Sequence, residues 1–318
     1  MTASKIVVAW PHGQSVKTGP SQGPMAGSTP AGVTKCKHAH ERDFVGFSFL
    51  FIYLFPAYNI FVMEKEFKLV AIGDSYTYIN NDLPESGNRV KKGYLTRLIE
   101  KLPFKTKLIN LGINGAAASN FLDVKIPKGD IYIILLGTND WFGSRELGSL
   151  SDFKAAKKGT VLGNLGDIIK RIHEVSPNGK IYLCNPVERG RFVYIFDYNN
   201  NAHDSSTPNK NGVYLSEFAN KILECASFYD FVYPVNLHDE TGFKSENAMK
   251  FFRIKENGEV KDLPYPDFLS VHVDSNLKIY PYPIEAYGWA YDGLHPNDDG
   301  FEKIADVIFE VIKSTFAY

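Results

Sequence analysis

The amino-acid sequence predicts an α/β fold in which a parallel sheet of five strands is covered by helices on both faces. Three observations carry this expectation. Short apolar runs alternate with longer segments of helical period, the pattern of strand–helix–strand units. Residues 131–136 are apolar without interruption, as a strand buried on both sides should be. Several apolar runs end in polar blocks rich in glycine, which suit the carboxyl edge of such a sheet, where ligands bind.

The elements follow in order. Residues 67–72 read as a first strand ending at Gly73. Residues 89–102 have helical periodicity, with Tyr94, Leu95, Leu98 and Ile99 on one side. Residues 107–111 are a second strand, 116–124 a short helix and 131–136 the third strand. Residues 151–175 read as one long helical stretch, closed by Ser176-Pro177-Asn178-Gly179. A fourth strand over 180–185, a helix over 212–228 and a fifth strand over 231–235 come next. Asn297 then caps a last helix whose buried side is Ile304, Ala305, Ile308 and Ile312. Two connections, 186–211 and 237–291, exceed ordinary loops. Both follow strands, so both should overhang the carboxyl edge.

Bulk composition narrows the function. The 318 residues carry 35 basic and 36 acidic side chains, which argues against a nucleic-acid footprint. A hydrophobic fraction of 44% is ample for a globular core. The three cysteines, Cys36, Cys184 and Cys225, match no zinc or redox spacing. Cys184 falls in a strand and Cys225 in a helix, where both read as core fillers.

Residues 1–43 are rich in Gly, Pro, Ala, Ser and Thr and contain no Leu, Phe, Tyr or Asn. The change in composition at Phe44 predicts a disordered leader of separate coding origin. Residues 44–62 are aromatic and almost uncharged, and two readings stand. As an export signal or anchor they imply a secreted or periplasmic protein, with membrane contact only if they anchor. As translated upstream sequence they imply a true start at Met63 and a cytoplasmic protein. The catalytic domain is expected over 63–318. A chain beginning at Met63 is therefore expected to be soluble and fully active. Aggregation, or loss of most specific activity relative to the full chain, would move that boundary.

Four polar blocks hold the chemistry. Ser75 closes Gly73-Asp74-Ser75 just past the first strand. Its surroundings are not Gly-x-Ser-x-Gly, so it is not the nucleophile elbow of α/β-hydrolases. The second block, Asn110-Leu111-Gly112-Ile113-Asn114-Gly115, ends the second strand, and glycine there lets a backbone N–H approach a ligand. The third, Gly137-Thr138-Asn139-Asp140, offers the Asn139 amide to a developing oxyanion. With strands in the order 2-1-3-4-5, these three blocks converge on one crevice. The fourth, Asp292-Gly293-Leu294-His295-Pro296, spaces a carboxylate and an imidazole three apart. A helical turn there would put both on one side. Asp292 would then hold the His295 tautomer whose Nε2 takes the Ser75 proton. A metal site built on Asp292, His295, Asp298 and Asp299 is disfavoured, because Asp298 and Asp299 suit the positive end of a helix dipole.

As a set, these blocks resemble the SGNH hydrolases, also called the GDSL esterase/lipase family. Ser75 matches the family serine, Asn139 the asparagine, and Asp292 with His295 the Asp-x-x-His pair. Gly115 is the better match to the family glycine and Gly112 the alternative. Tyr76 stands where the commonest pattern has leucine. The resemblance covers about 67–318. It implies a three-layer α/β/α, flavodoxin-like fold and ester hydrolysis without a metal or other cofactor. The oxyanion would lie against Ser75, Gly115 and Asn139. The segment Pro186-Val187-Glu188-Arg189-Gly190-Arg191-Phe192 is similar to a branch of the family common in Bacteroidetes.

Substrate expectations are coarser. Tyr76, Tyr78, Trp141, Phe142, Tyr287, Trp289 and Tyr291 gather near the blocks. Of these, Tyr76, Trp141 and Trp289 are expected to contact substrate, with Arg189 meeting an acidic group. No long apolar flap is visible, which favours short acyl esters, acetyl groups on polysaccharides foremost. The enzymatic alternative is a lysophospholipase or thioesterase. The non-enzymatic one is a carbohydrate-binding protein on an inactive hydrolase fold.

Overall fold

A computed structural model describes residues 65–274 and 276–316. The expectations for 1–43 and 44–62 lie outside the described residues. The order is β1 (Phe67–Gly73), α1 (Ser75–Tyr78), α2 (Tyr94–Lys101), β2 (Thr106–Asn110), β3 (Ile131–Leu135), α3 (Thr138–Phe142), α4 (Leu150–Ala155), α5 (Val161–Val175) and β4 (Lys180–Cys184). There follow β5 (Phe192–Val193), β6 (Asn201–Ala202), α6 (Leu215–Ala226), β7 (Val232–Val235), α7 (Leu237–Glu240), α8 (Ser245–Ala248), β8 (Phe251–Glu256), β9 (Glu259–Pro264) and α9 (Asp298–Thr315).

The main sheet is parallel, in the order β2-β1-β3-β4-β7. This is the flavodoxin-like order expected, with β1 and β3 adjacent at the centre. Strand residues alternate between two cores because side chains point to opposite faces. Leu69, Ala71, Ile131, Ile133 and Tyr182 pack with Tyr94, Leu95 and Leu98 of α2 and Ile304, Ala305, Ile308 and Ile312 of α9. Val70, Ile72, Tyr132, Ile134, Ile181 and Leu183 pack with α5 and α6 on the other face. Both Cys184 and Cys225 are buried in these cores as unpaired thiols. Each large apolar side chain so buried contributes on the order of 1.5–3 kcal/mol, so the central strands hold the edge rigidly.

Local differences from expectation have identifiable causes. The stretch over 151–175 is two helices, not one. α4 ends where Ala156 turns left-handed at φ 51°, and Gly159 follows at φ 107°. Thr160 then caps α5, its Oγ1 accepting from Gly163 N at 3.1 Å. The helix expected from residue 89 starts only at Tyr94, and the one over 116–124 is a single 3-10 turn, Ala118–Phe121. The connection over 237–291 contains the hairpin β8–β9, closed by Asn257 and Gly258, both with positive φ. Asn-Gly between two strands is a strong hairpin signal that was legible and missed.

α9 is tied to α2 through Arg97, which reaches Asp298 and Glu302. Asp298 also accepts from Lys91 N at 3.1 Å. Its carboxylate thus fastens the start of α9, three residues beyond His295. Among the described residues no helix is long and apolar enough to cross a membrane.

Candidate active site

β1 approaches its neighbours closely enough that Gly73 could not be replaced. A Cβ there would sit 2.0 Å from Thr77 Oγ1 and 2.9 Å from Leu135 O. Asp74 caps α1, accepting from Tyr76 N at 3.1 Å. Ser75 is therefore the first residue of α1, where a backbone N–H has no acceptor within the helix.

The second block is laid against the first. Ile113 N donates to Gly73 O at 3.0 Å, extending the pairing of β2 with β1. Asn110 Nδ2 donates to Thr77 O at 2.8 Å, and its Oδ1 accepts from Gly112 N at 2.8 Å. The two glycines of this block differ in kind. Gly112 has spent its N–H on Asn110, and a Cβ on it would lie 2.5 Å from Tyr78 N. Gly115 is exposed at φ 69°, and a Cβ there would meet nothing within 4 Å.

The third block turns at Gly137, φ 123°, into α3. Asn139 Nδ2 lies 3.1 Å from Ala116 O and 3.3 Å from Asp74 Oδ2. Its amide thus ties the third block to the first and to the residue that follows the second. Asp140 is fully buried and accepts from Ala118 N at 3.0 and 3.2 Å, clamping α3 to the chain after Gly115. Burial raises its carboxyl to about 6, against that backbone bond.

The fourth block is a bend, not the helical turn that its spacing also allowed. Gly293 at φ 88° lies so close to Arg191 O that a Cβ would be 1.8 Å away. Asp292 holds the bend itself: Oδ1 accepts from Leu294 N at 3.0 Å and His295 N at 2.7 Å. Its Oδ2 lies 2.7 Å from His295 Nδ1. His295 Nε2 lies 2.9 Å from Ser75 Oγ. All three residues are buried. The imidazole is flanked by Tyr291, stacked at 5.8 Å, and Phe192, edge-on at 5.6 Å. A hydroxyl, an imidazole and a carboxylate in one hydrogen-bonded line can remove the hydroxyl proton as the oxygen attacks a carbonyl carbon.

The model of the GDSL-like Lipase/Acylhydrolase family matches residues 71–247, more than half of the chain. The chain belongs to this family. As a GDSL-like hydrolase it is an ester-cleaving enzyme. The match ends before Asp292, so the fourth block rests on geometry. The solved structure of a "possible lipase" from Chitinophaga pinensis is 39% identical, over 78% of this chain and 98% of that one, with a TM-score of 0.73. It fits the Bacteroidetes-type branch. A Lactobacillus plantarum protein of 18% identity shares the fold, over 80% of this chain and 100% of the other, with a TM-score of 0.52. No curated protein matches the chain significantly.

Three residues of the hydrolase expected to touch substrate are otherwise engaged. Tyr76 is buried, and its hydroxyl donates to Leu294 O at 2.6 Å, so it holds the His295 bend against α1. Trp141 is 0% exposed, with Nε1 donating to Val213 O at 2.9 Å. Trp289 is buried, stacks on Phe243 at 4.4 Å and donates to Lys244 O at 3.1 Å. All three brace loops: a large aromatic beside a motif buries its area whenever a connection crosses it. Of the aromatics near the blocks, Phe142 presents the most surface, 39% exposed. Arg189 is also buried, its guanidinium 4.9 Å over the ring of Phe142.

Asp74 was not singled out by its residue type, yet it touches both Tyr76 N and Asn139. Burial raises its carboxyl from 3.8 to about 7, against the Tyr76 backbone bond and the nearby His295. The fold thus retains a proton that the unfolded chain releases. That stabilisation is complete below pH 3.8 and is lost as pH rises through about 7. Asp74→Asn is expected to flatten the fall in melting temperature across this window. Parallel profiles for variant and wild type would assign the fall to other groups.

Proposed function

We propose that this hydrolase cleaves short-chain acyl O-esters, acetyl esters foremost, with Ser75 as nucleophile, His295 as base and then acid, and Asp292 orienting His295. The observation that carries the reading is the unbroken line from Ser75 Oγ through His295 to Asp292, at 2.9 and 2.7 Å. Asp292 accepts Nδ1–H, which leaves Nε2 to take the Ser75 proton. Ser75 Oγ attacks the ester carbonyl, and His295 returns the proton to the leaving alcohol. Water, activated in the same way, then releases the acid from the acyl-enzyme.

The oxyanion is received by the N–H groups of Ser75 and Gly115 and by the Asn139 amide. One Asn139 N–H is held by Ala116 O. The other reaches Asp74 Oδ2 at the longer 3.3 Å, a bond that a developing charge would compete for. Asn139→Ala is expected to lower kcat by about 100- to 1,000-fold with little change in KM, because the oxyanion exists only in the transition state. A change confined to KM would make Asn139 a ground-state contact.

The chain beside Gly115 is polar, which favours short acyl groups over long ones. Asn114 reaches Glu85 at 3.2 Å, and Tyr194 donates to the same carboxylate at 2.9 Å. Rates on p-nitrophenyl acetate through octanoate, with acetate release from acetylated xylan and pectin, test the reading. Octanoate preferred over acetate would point to lysophospholipase or thioesterase activity. Failure to label with a fluorophosphonate probe would remove the serine mechanism altogether.

A further inference from the structure

The start of α1 needs one oxygen from Asp74, and the side chain brings two. Oδ1 accepts from Tyr76 N at 3.1 Å, and that bond is the cap. A serine hydroxyl caps a helix about as well as a carboxylate does. Asp74 is 3% exposed, and burying a carboxylate is costly unless its oxygens are matched. The choice of residue therefore exceeds what the cap requires. Oδ2 has a single hydrogen-bond partner among the described residues, the Asn139 amide nitrogen at 3.3 Å.

An asparagine amide has a nitrogen end and an oxygen end of similar shape and opposite polarity. Only the nitrogen end can serve a developing oxyanion, because the oxygen end would repel it. The backbone of α3 does not settle which end is presented. Asp140 clamps that backbone to Ala118 N at 3.0 Å, but the terminal torsion of asparagine is broad and roughly two-fold. Two acceptors settle it instead. Ala116 O lies 3.1 Å from Asn139 Nδ2, and Asp74 Oδ2 lies 3.3 Å from the same atom. Asn139 itself is only half-buried, so its amide keeps a face to the solvent side.

We propose that Asp74 is a positioning residue for the oxyanion donor, its second carboxylate oxygen holding Asn139 with the amide nitrogen presented before substrate arrives. As charge forms on the substrate, the longer Asp74 bond gives way and an N–H passes to the oxyanion. No larger rotation of the amide is then needed at the moment of reaction. The inference rests on the proposed oxyanion role of Asn139 and adds the group that presets it.

The test measures kcat and KM on p-nitrophenyl acetate at pH 8. Burial raises the Asp74 carboxyl to about 7, so at that pH both of its oxygens accept. Asp74→Ser keeps a capping oxygen for Tyr76 N and removes the oxygen that reaches Asn139. Asp74→Asn keeps the shape but sets a donor against the donor of Asn139. Each is expected to lower kcat about tenfold or more, with KM within about twofold of wild type. In the Asn139→Ala background, Asp74→Ser is expected to cost less than about twofold further, since no amide is left to hold. Both Asp74 variants within about twofold of wild type in kcat, beside a damaging Asn139→Ala, would overturn the positioning role and leave the oxyanion reading standing. Losses that multiply with that of Asn139→Ala would also overturn it and leave Asp74 as a cap alone. A harmless Asn139→Ala would remove the oxyanion reading and the positioning role with it.

Discussion

Ser75→Ala is expected to abolish ester hydrolysis, with a loss on the order of a million-fold in kcat, while the fold and melting temperature are kept. The change removes one oxygen. That oxygen is bonded to His295 Nε2 at 2.9 Å and to no other described residue, so its loss disturbs no structural contact. The cap on α1 belongs to Asp74 and is untouched. Activity within tenfold of wild type, measured on p-nitrophenyl acetate, would sink the serine mechanism. Residual activity well above the uncatalysed rate is compatible with it, since the oxyanion donors and substrate binding remain.

His295→Ala is expected to be nearly as damaging, and the Ser75→Ala, His295→Ala double variant little worse than either alone. In the proposed mechanism the two side chains serve one proton transfer, so removing one leaves the other nothing to do. Losses that multiply would mean independent roles. Asp292→Asn should be milder, at about 10,000-fold by analogy with other triads. Its remaining oxygen can still accept from Leu294 N and His295 N, so the bend survives. The amide nitrogen would then face His295 Nδ1 and favour the tautomer whose Nε2 carries a proton, which cannot accept one from Ser75. Asp292→Ala adds a structural loss, because the bend loses both backbone bonds.

The sheet was legible because its signals are local and redundant. The apolar run through Ile131 to Leu135 could only be buried on both sides, and it is. The polar blocks mark where each strand ends, and the adjacency of β1 and β3 follows from the usual order of such sheets. Asn297 announced the last helix and caps it, accepting from Gly300 N at 2.9 Å. The break between α4 and α5 was harder to see. The helical period continues across 156–160, and the interruption depends on Ala156 adopting a left-handed conformation that alanine rarely takes. The Asp292 bend could not be told from a helical turn for a related reason. Both geometries bring residues three apart together, and only Gly293 pressed against Arg191 distinguishes them.

The sequence by itself determined the fold class, the succession of strands and helices and the residue types placed at the strand ends. Those follow from period, composition and spacing, which every residue carries with it. Tertiary structure alone decided which side chains face open space. Trp141 and Trp289 stand beside the blocks in sequence but lie beneath crossing loops, while Phe142, one residue on, reaches the surface. It also decided that Asp74 is buried deeply enough to hold a proton near neutrality, and that Arg189 and Asp204 are buried together without pairing. Burial and pairing are properties of neighbours. Those neighbours come from elements distant in the chain, and no local pattern encodes how closely they pack.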